Sequence, residues 1–103
     1  MLLMIIIAGT ITFNPDLRDA AIAAVTELET ITRQEPGNLD YGFWESHSDP
    51  GVFLVFERWE DEAAIQTHSN SEHMAAFLGK AGEIGITGAS IDRFDVSAVA
   101  KFM

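Results

Sequence analysis

The 103-residue chain contains no cysteine and only six basic residues, against 16 acidic ones. The absence of cysteine excludes disulfide scaffolds, thiolate zinc sites, iron–sulfur clusters and thiol nucleophiles. The formal net charge of −10 argues against nucleic acid and anionic membrane as partners, because both require a basic surface. Beyond this exclusion, the acidic balance mostly indicates a soluble surface.

Apolar residues are abundant: 48% of the chain is hydrophobic and 10% is aromatic. Such a chain has enough apolar surface to fold, which excludes intrinsic disorder. Its length predicts one domain over residues 1–103. A domain of this size buries only about 60–70% of its surface, so the apolar excess predicts either an exposed apolar patch or a partner.

The apolar segment Met1–Ala8 has no Lys or Arg before it, unlike a secretory signal peptide. It is also much shorter than the roughly 20 residues of a membrane-spanning helix. The β-branched run Ile5–Ile7 favours a buried strand that continues to Phe13. We therefore expect a cytoplasmic protein.

The remaining elements follow from capping residues and from hydrophobic periodicity. Asn14-Pro15-Asp16 is typical of a helix start, and apolar residues at helical spacing continue almost to Pro36. The later predicted elements are strands over 38–47 and 52–59, a short helix from Glu60, a second helix after the Ser69–Ser71 break, a loop containing Gly79, Gly82, Gly85 and Gly88, and a strand over 90–96 before a tail.

The order βαββαβ predicts a ferredoxin-like α+β fold, with the helices on one face of a four-stranded antiparallel sheet. The second face is also apolar, since Val52, Leu54 and Phe56 alternate along one predicted strand. No residues remain to cover that face within the chain. We therefore expect a homodimer packed sheet to sheet, although scattered exposed apolar residues are also common on protein surfaces.

The three histidines, His47, His68 and His73, are the candidate metal ligands. His68 and His73 are five positions apart, and a single helical face requires three or four. We therefore predict no metal site. His68 ends the short helix, where a neutral imidazole suits proton transfer near pH 7; a histidine that caps helix carbonyls is an equally good interpretation.

Glu57 shares one strand face with Phe53, Val55 and Trp59. A carboxylate on an apolar face must be paired or hydrogen-bonded, or its pKa rises. Two interpretations remain open: an ion pair with Arg93, or a polar group in an aromatic pocket to which Tyr41 adds a phenol. The aromatic residues themselves are either core or pocket wall.

The sequence resembles the antibiotic biosynthesis monooxygenase family over most of its length. The most specific features are Glu57-Arg58-Trp59 and the pattern His68-x-x-Ser71-x-His73. The resemblance extends over Glu35–Tyr41, Asp49–Phe53, Glu57–Ala63, His68–His73 and Phe77. It implies a dimeric α+β barrel that oxidises quinols or polycyclic phenols with O₂ and without metal, haem or flavin.

The resemblance also implies roles for particular residues. His68 would accept a proton, Tyr41 and Glu57 would orient substrate oxygens, and an aromatic substrate would lie against Trp59, Phe77 and Phe53. Two alternatives remain: a non-catalytic dimeric module for small-ligand binding or stress response, and a lyase or isomerase that uses the same pocket. O₂ uptake with a reduced quinone distinguishes the oxygenase from a module that is only stabilised by its ligand.

Overall fold

The computed structural model describes residues 1–103. In chain order the elements are β1 (Met4–Phe13), a 3₁₀ turn (Pro15–Leu17), α1 (Arg18–Thr32), β2 (Asn38–Glu45), β3 (Val52–Trp59), α2 (Glu62–Ser69), α3 (Glu72–Ile84) and β4 (Ile86–Val96). The four strands form one antiparallel sheet in the order β2-β3-β1-β4. The predicted ferredoxin-like α+β fold is confirmed.

Side-chain caps fix where the helical segments begin. The Asn14 side chain accepts a hydrogen bond from the backbone N–H of Asp16, as the sequence predicts. Asp61 caps α2 and Ser71 caps α3 in the same way. The predicted break between the last two helices is therefore confirmed, with Ser71 beginning the second of them.

The predicted glycine loop is wrong. Gly79 and Gly82 lie within α3, and Gly88 lies within β4; only Gly85, at φ 92°, is at the end of the helix. Phe77, Ala81 and Ile84 lie on the buried side of α3. Their burial outweighs the cost of about 1 kcal/mol for each helical glycine, so the helix continues to Ile84 and β4 begins four residues earlier than predicted.

The helices cover one face of β1, β2 and β3, and the core lies between these two layers, whereas β4 is exposed along almost its whole length. Trp59, Phe13, Ile5 and Leu28 are its largest fully buried apolar side chains. None of the three α-helices has the length and apolar character needed to cross a bilayer.

The opposite sheet face is apolar and open. Trp44, Leu54 and Phe94 are each about half exposed (52%, 47% and 50%), and Trp44 lies directly beside Leu54 on the neighbouring strand. The sequence prediction of a second apolar sheet face is confirmed.

The outer edge of β2 is held by Glu29 of α1 and by Arg33, which directly follows α1. Glu29 accepts a hydrogen bond from the Phe43 backbone N–H at 2.8 Å, and Arg33 Nε donates to the Tyr41 carbonyl at 2.8 Å. Glu29 and Arg33 also form an ion pair at 3.5 Å. These contacts fix the β2 backbone, and hence the position of Tyr41, relative to the helical layer.

Gly9 is where β1 and β4 approach closely, because a Cβ there would lie 2.0 Å from the Ser90 carbonyl oxygen. We expect Gly9→Ala to lower the free energy of unfolding by about 1–3 kcal/mol, the usual cost of overpacking. Gly82→Ala is the matched control, since a Cβ there meets nothing within 4 Å, and it should raise stability by about 0.5–1 kcal/mol. Urea denaturation measures both, and equal stability of the two variants would contradict the close approach.

Candidate functional site

His68 is the centre of a buried cluster at the end of β3. It lies in the last turn of α2 and is only 5% exposed. Its ring centroid is 4.9 Å from that of Trp59 and 5.3 Å from that of Tyr41. The structure therefore surrounds an ionisable ring with aromatic surface, which lowers the local dielectric.

Glu35, in the connection between α1 and β2, is hydrogen-bonded to both histidines of the cluster. Its two carboxylate oxygens lie 3.1 and 3.2 Å from Nδ1 of His68, and Oε1 also contacts Nε2 of His73. The side chains of Glu35 and His73 are 12% and 20% exposed. A largely buried carboxylate is thus paired with two imidazoles.

Glu35 was missed as a site residue by the sequence reasoning. The available signal is its position: it follows the end of α1, where the helix dipole disfavours a negative charge. An acidic residue at such a position, directly before Pro36-Gly37, indicates that a partner elsewhere compensates its charge.

The contact with Glu35 determines how the neutral ring of His68 is protonated. An ionised carboxylate only accepts hydrogen bonds, so Nδ1 carries the proton and Nε2 carries the lone pair. Nε2 has no hydrogen-bond partner within the chain. The arrangement is therefore suited to accept a proton at Nε2 from a bound ligand, while Glu35 stabilises the resulting imidazolium.

A corner between α2 and α3 brings His68 and His73 together. Ser71 Oγ donates to the His68 carbonyl at 2.6 Å and accepts from the Met74 backbone N–H at 3.2 Å. The prediction that the two histidines do not share a helical face is correct, because they lie on different helices. Their ring centroids are nevertheless only 5.9 Å apart, which the spacing along the chain does not reveal.

Glu57 and Tyr41 face each other across β2 and β3. Glu57 Oε1 accepts a hydrogen bond from Trp59 Nε1 at 2.9 Å. Burial raises the pKa of Glu57 to about 7, against the lowering effect of that hydrogen bond, and the Glu35 charge raises it further. The suggested ion pair of Glu57 with Arg93 is wrong, because Arg93 binds Glu62 and Asp95.

The Tyr41 phenol stays protonated. Burial raises its pKa well above the usual range, and the charges of Glu57, Glu35 and Glu29 add to the effect. Tyr41 can therefore donate or accept a hydrogen bond to a ligand oxygen, but it is not a base at neutral pH.

The predicted aromatic residues do not all lie together. Phe77 contacts Phe43, with centroids 6.0 Å apart, and Phe43 contacts Tyr41. Phe53 instead packs against Phe13. It precedes Trp59 by six residues on β3, a distance of about 20 Å along a strand. The structure thus brings His68, Tyr41, Glu57 and Trp59 together, with Phe77 at the margin and Phe53 remote.

One cavity beside the cluster lies between α1 and α3 and has a volume of only about 20 Å³. Its lining includes His73, Phe77, Leu28 and the ion pair of Glu27 with Lys80. Such a volume holds about one water molecule, whereas ligand pockets usually occupy about 300–1,000 Å³. A ligand that enters here therefore needs the side chains around Phe77 to move. A second, more open cavity of about 370 Å³ is lined by Tyr41, Leu39 and Trp44.

Comparison with known proteins gives a consistent family. A family model described as antibiotic biosynthesis monooxygenase matches residues 4–80. YcnE of Bacillus subtilis, a candidate monooxygenase, is 28% identical over 91% of this chain and 99% of its own length. Rv0793 of Mycobacterium tuberculosis, also a candidate monooxygenase, is 34% identical over 69% of each chain.

A solved structure shows that the fold is shared. The crystal structure of a candidate antibiotic biosynthesis monooxygenase from Deinococcus radiodurans superposes with a TM-score of 0.88, covering 96% of this chain and 98% of that one. The two sequences are 24% identical, so this likeness concerns the fold alone.

The raised pKa of Glu57 predicts a pH dependence of stability. The native carboxyl keeps its proton up to about pH 7, while the unfolded one, with its ordinary pKa of 4.5, has released it. As the pH rises from 4.5 to about 7, the free energy of unfolding should therefore decrease by about 3 kcal/mol because of this group. Above pH 7 it should stay level. Glu57→Gln should remove this decrease, as measured by urea denaturation at several pH values.

Glu83→Gln is the control for that measurement, because Glu83 is an exposed residue of α3. Its stability should follow the wild-type pH dependence. If Glu57→Gln does the same, Glu57 is not a carboxyl that becomes neutral near pH 7.

Proposed function

This chain belongs to the antibiotic biosynthesis monooxygenase family, and on that premise we propose that it is a cofactor-independent monooxygenase that oxidises a small quinol or polycyclic phenol with O₂. One observation carries the proposal. Glu35 holds the His68 ring by Nδ1 and leaves Nε2 unpaired among aromatic side chains.

The chemistry requires little from the protein beyond proton transfer and positioning. His68 Nε2 accepts the hydroxyl proton of the quinol, which becomes an electron-rich anion. That anion gives one electron to O₂, the two radicals combine with formation of a C–O bond, and cleavage of the O–O bond releases water. Overall, one quinol and one O₂ become one hydroxylated quinone and one water.

The residues around His68 have distinct proposed roles. Tyr41, which remains protonated, hydrogen-bonds a substrate oxygen. Glu57 is half protonated near pH 7 and orients the second oxygen. The faces of Trp59 and Phe77 hold the aromatic ring and exclude water from the anion. Phe53 is left out of this proposal, since it packs against Phe13.

We further propose that two copies of the chain pack through their open sheet faces. The exposed side chains of Trp44, Leu54 and Phe94 form an apolar surface on one side of the sheet. Water contact with these apolar side chains is unfavourable, and a twofold interface would bury them on both copies at once. A cytoplasmic location remains a prediction.

A non-catalytic ligand-binding module is the second candidate function. It is favoured by an open cavity of about 370 Å³ whose lining includes Tyr41 and Trp44 but not His68, because a ligand bound there would have no proton acceptor beside it. Under this alternative a reduced or oxidised quinone raises the melting temperature, while O₂ uptake stays at the autoxidation rate of the quinol.

His68→Gln tests the proposed reaction. Glutamine can still donate a hydrogen bond to Glu35 but lacks a basic nitrogen, so the fold is preserved and the proton acceptor is removed. We expect the rate of menadiol-dependent O₂ uptake to fall at least about 100-fold, the usual contribution of a general base. An oxygen electrode measures the rate above the autoxidation background.

His47→Gln is the matched control, because His47 lies beyond the end of β2 and away from the cluster. It should turn over like the wild type. The proposal fails if His68→Gln retains wild-type turnover, or if the wild-type protein does not accelerate O₂ uptake with any quinol tested.

Leu54→Asp tests the proposed dimer. A charge at this position on the open sheet face should convert a dimer to a monomer, as measured by size-exclusion chromatography with light scattering. Leu78→Asp is the control, because Leu78 is equally exposed on α3, outside the sheet. A wild-type monomer, or an unchanged mass for Leu54→Asp, would contradict the sheet-to-sheet arrangement.

A further inference from the structure

We propose that Glu35, His68 and His73 form a binding site for one divalent first-row transition-metal ion. Each residue contributes one ligand-type atom, and these three atoms lie within 4.8 Å of one another. The proposal goes beyond the oxygenase reaction, because it concerns an ion that binds the protein whether or not a quinol is oxidised.

The three donor atoms suit a particular class of ion. Two imidazole nitrogens and one carboxylate oxygen form the protein ligand set of many catalytic zinc sites and of mononuclear iron sites. Mg²⁺ and Ca²⁺ instead prefer oxygen ligands throughout. The site should therefore take Zn²⁺ or Co²⁺ and reject Mg²⁺.

The spacing of the donors is close to what such an ion requires. Metal–ligand bonds of about 2.0–2.2 Å place neighbouring ligand atoms roughly 3–3.5 Å apart. Nδ1 of His68 lies 3.1 and 3.2 Å from the two Glu35 oxygens. His73 Nε2 lies closer to Oε1 than two ligands would, so a modest movement of the His73 ring completes the geometry. His73 is also the most exposed of the three side chains.

The backbone holds these donors before any ion arrives. The Glu35 backbone N–H donates to the Thr32 carbonyl at 3.0 Å, and the Glu35 carbonyl accepts from the Asn38 backbone N–H at 3.2 Å. His68 and His73 are joined by the Ser71 corner, with Ser71 N–H also donating to the His68 carbonyl at 3.1 Å. Such preorganisation reduces the entropy lost on binding.

Charge also favours a cation at this place. With both imidazoles neutral the three side chains carry a net charge of −1, and the whole chain carries −10. This negative charge therefore attracts a divalent ion. When the ion binds, it replaces the two protons that form the hydrogen bonds between the histidine rings and Glu35.

Ion binding has a consequence for His68 that rests on the proposed function. A neutral imidazole bound to metal through Nδ1 carries its proton on Nε2. The lone pair that would accept the quinol proton is then absent. Zn²⁺ should therefore inhibit quinol oxidation at concentrations that fill the site.

Direct binding is the primary test. Isothermal titration with Zn²⁺ and visible absorption of added Co²⁺ should both show one ion per chain. Glu35→Gln and His73→Gln should each weaken binding at least about 10-fold, a loss that even indirect partners of metal ligands cause. His47→Gln should bind like the wild type, and Mg²⁺ should not bind.

A second measurement needs no variant, in case Glu35→Gln does not fold. Imidazole ¹H–¹⁵N spectra of the wild-type protein should show that Zn²⁺ shifts the ring signals of His68 and His73 and moves the His68 proton from Nδ1 to Nε2. The His47 signals should stay unchanged.

Three outcomes would overturn the proposal: no one-to-one uptake of Zn²⁺ or Co²⁺, uptake that Glu35→Gln and His73→Gln leave intact, or perturbation of His47 alone. These results are independent of quinol turnover. If Zn²⁺ binds but no quinol is oxidised, the metal site stands and the proposed reaction is refuted. If a quinol is oxidised but no metal ion binds, the proposed reaction stands and the metal site is refuted.

Discussion

The candidate site depends on one buried carboxylate. Glu35 follows α1 and reaches His68 at the end of α2 and His73 at the start of α3. It therefore ties three segments together through a single charge. Buried charges are stable only while their partners are in place, so the relative positions of the three segments, the orientation of the His68 ring and the packing of Tyr41 and Trp59 all follow from this group.

Burial gives the ionisable groups near Glu35 different proton affinities and therefore different roles. Burial raises the pKa values of both Tyr41 and Glu57, and the Glu35 charge adds to each shift. The phenol consequently remains a hydrogen-bond donor, while the Glu57 carboxyl changes its protonation near pH 7. The cluster thus places groups of different proton affinity side by side, which is the general arrangement of acid–base sites.

Local sequence patterns predicted most of the fold, because hydrophobic periodicity and capping residues act over a few positions. The error at α3 arose because glycine was weighted by its local preference, while the burial of Phe77 and Ala81 decides the outcome. The site was harder to predict. His68 and Trp59 were identified from their surroundings, but the contact of Glu35 with His68 joins residues 33 positions apart, and Phe53 lies on the expected face at the wrong end of its strand.

The contacts of Glu29 and Arg33 with the backbone of β2 have an effect on assembly. They occupy two of the backbone hydrogen-bonding groups of one border strand, whereas the outer border of β4 pairs with nothing in the chain. The two borders of the sheet are therefore not equally open to strand addition. A second chain would have to displace Glu29 and Arg33 to pair along β2, and it meets no such contact along β4. These two side chains thereby direct strand addition, in a chain rich in apolar strands, towards one border of the sheet.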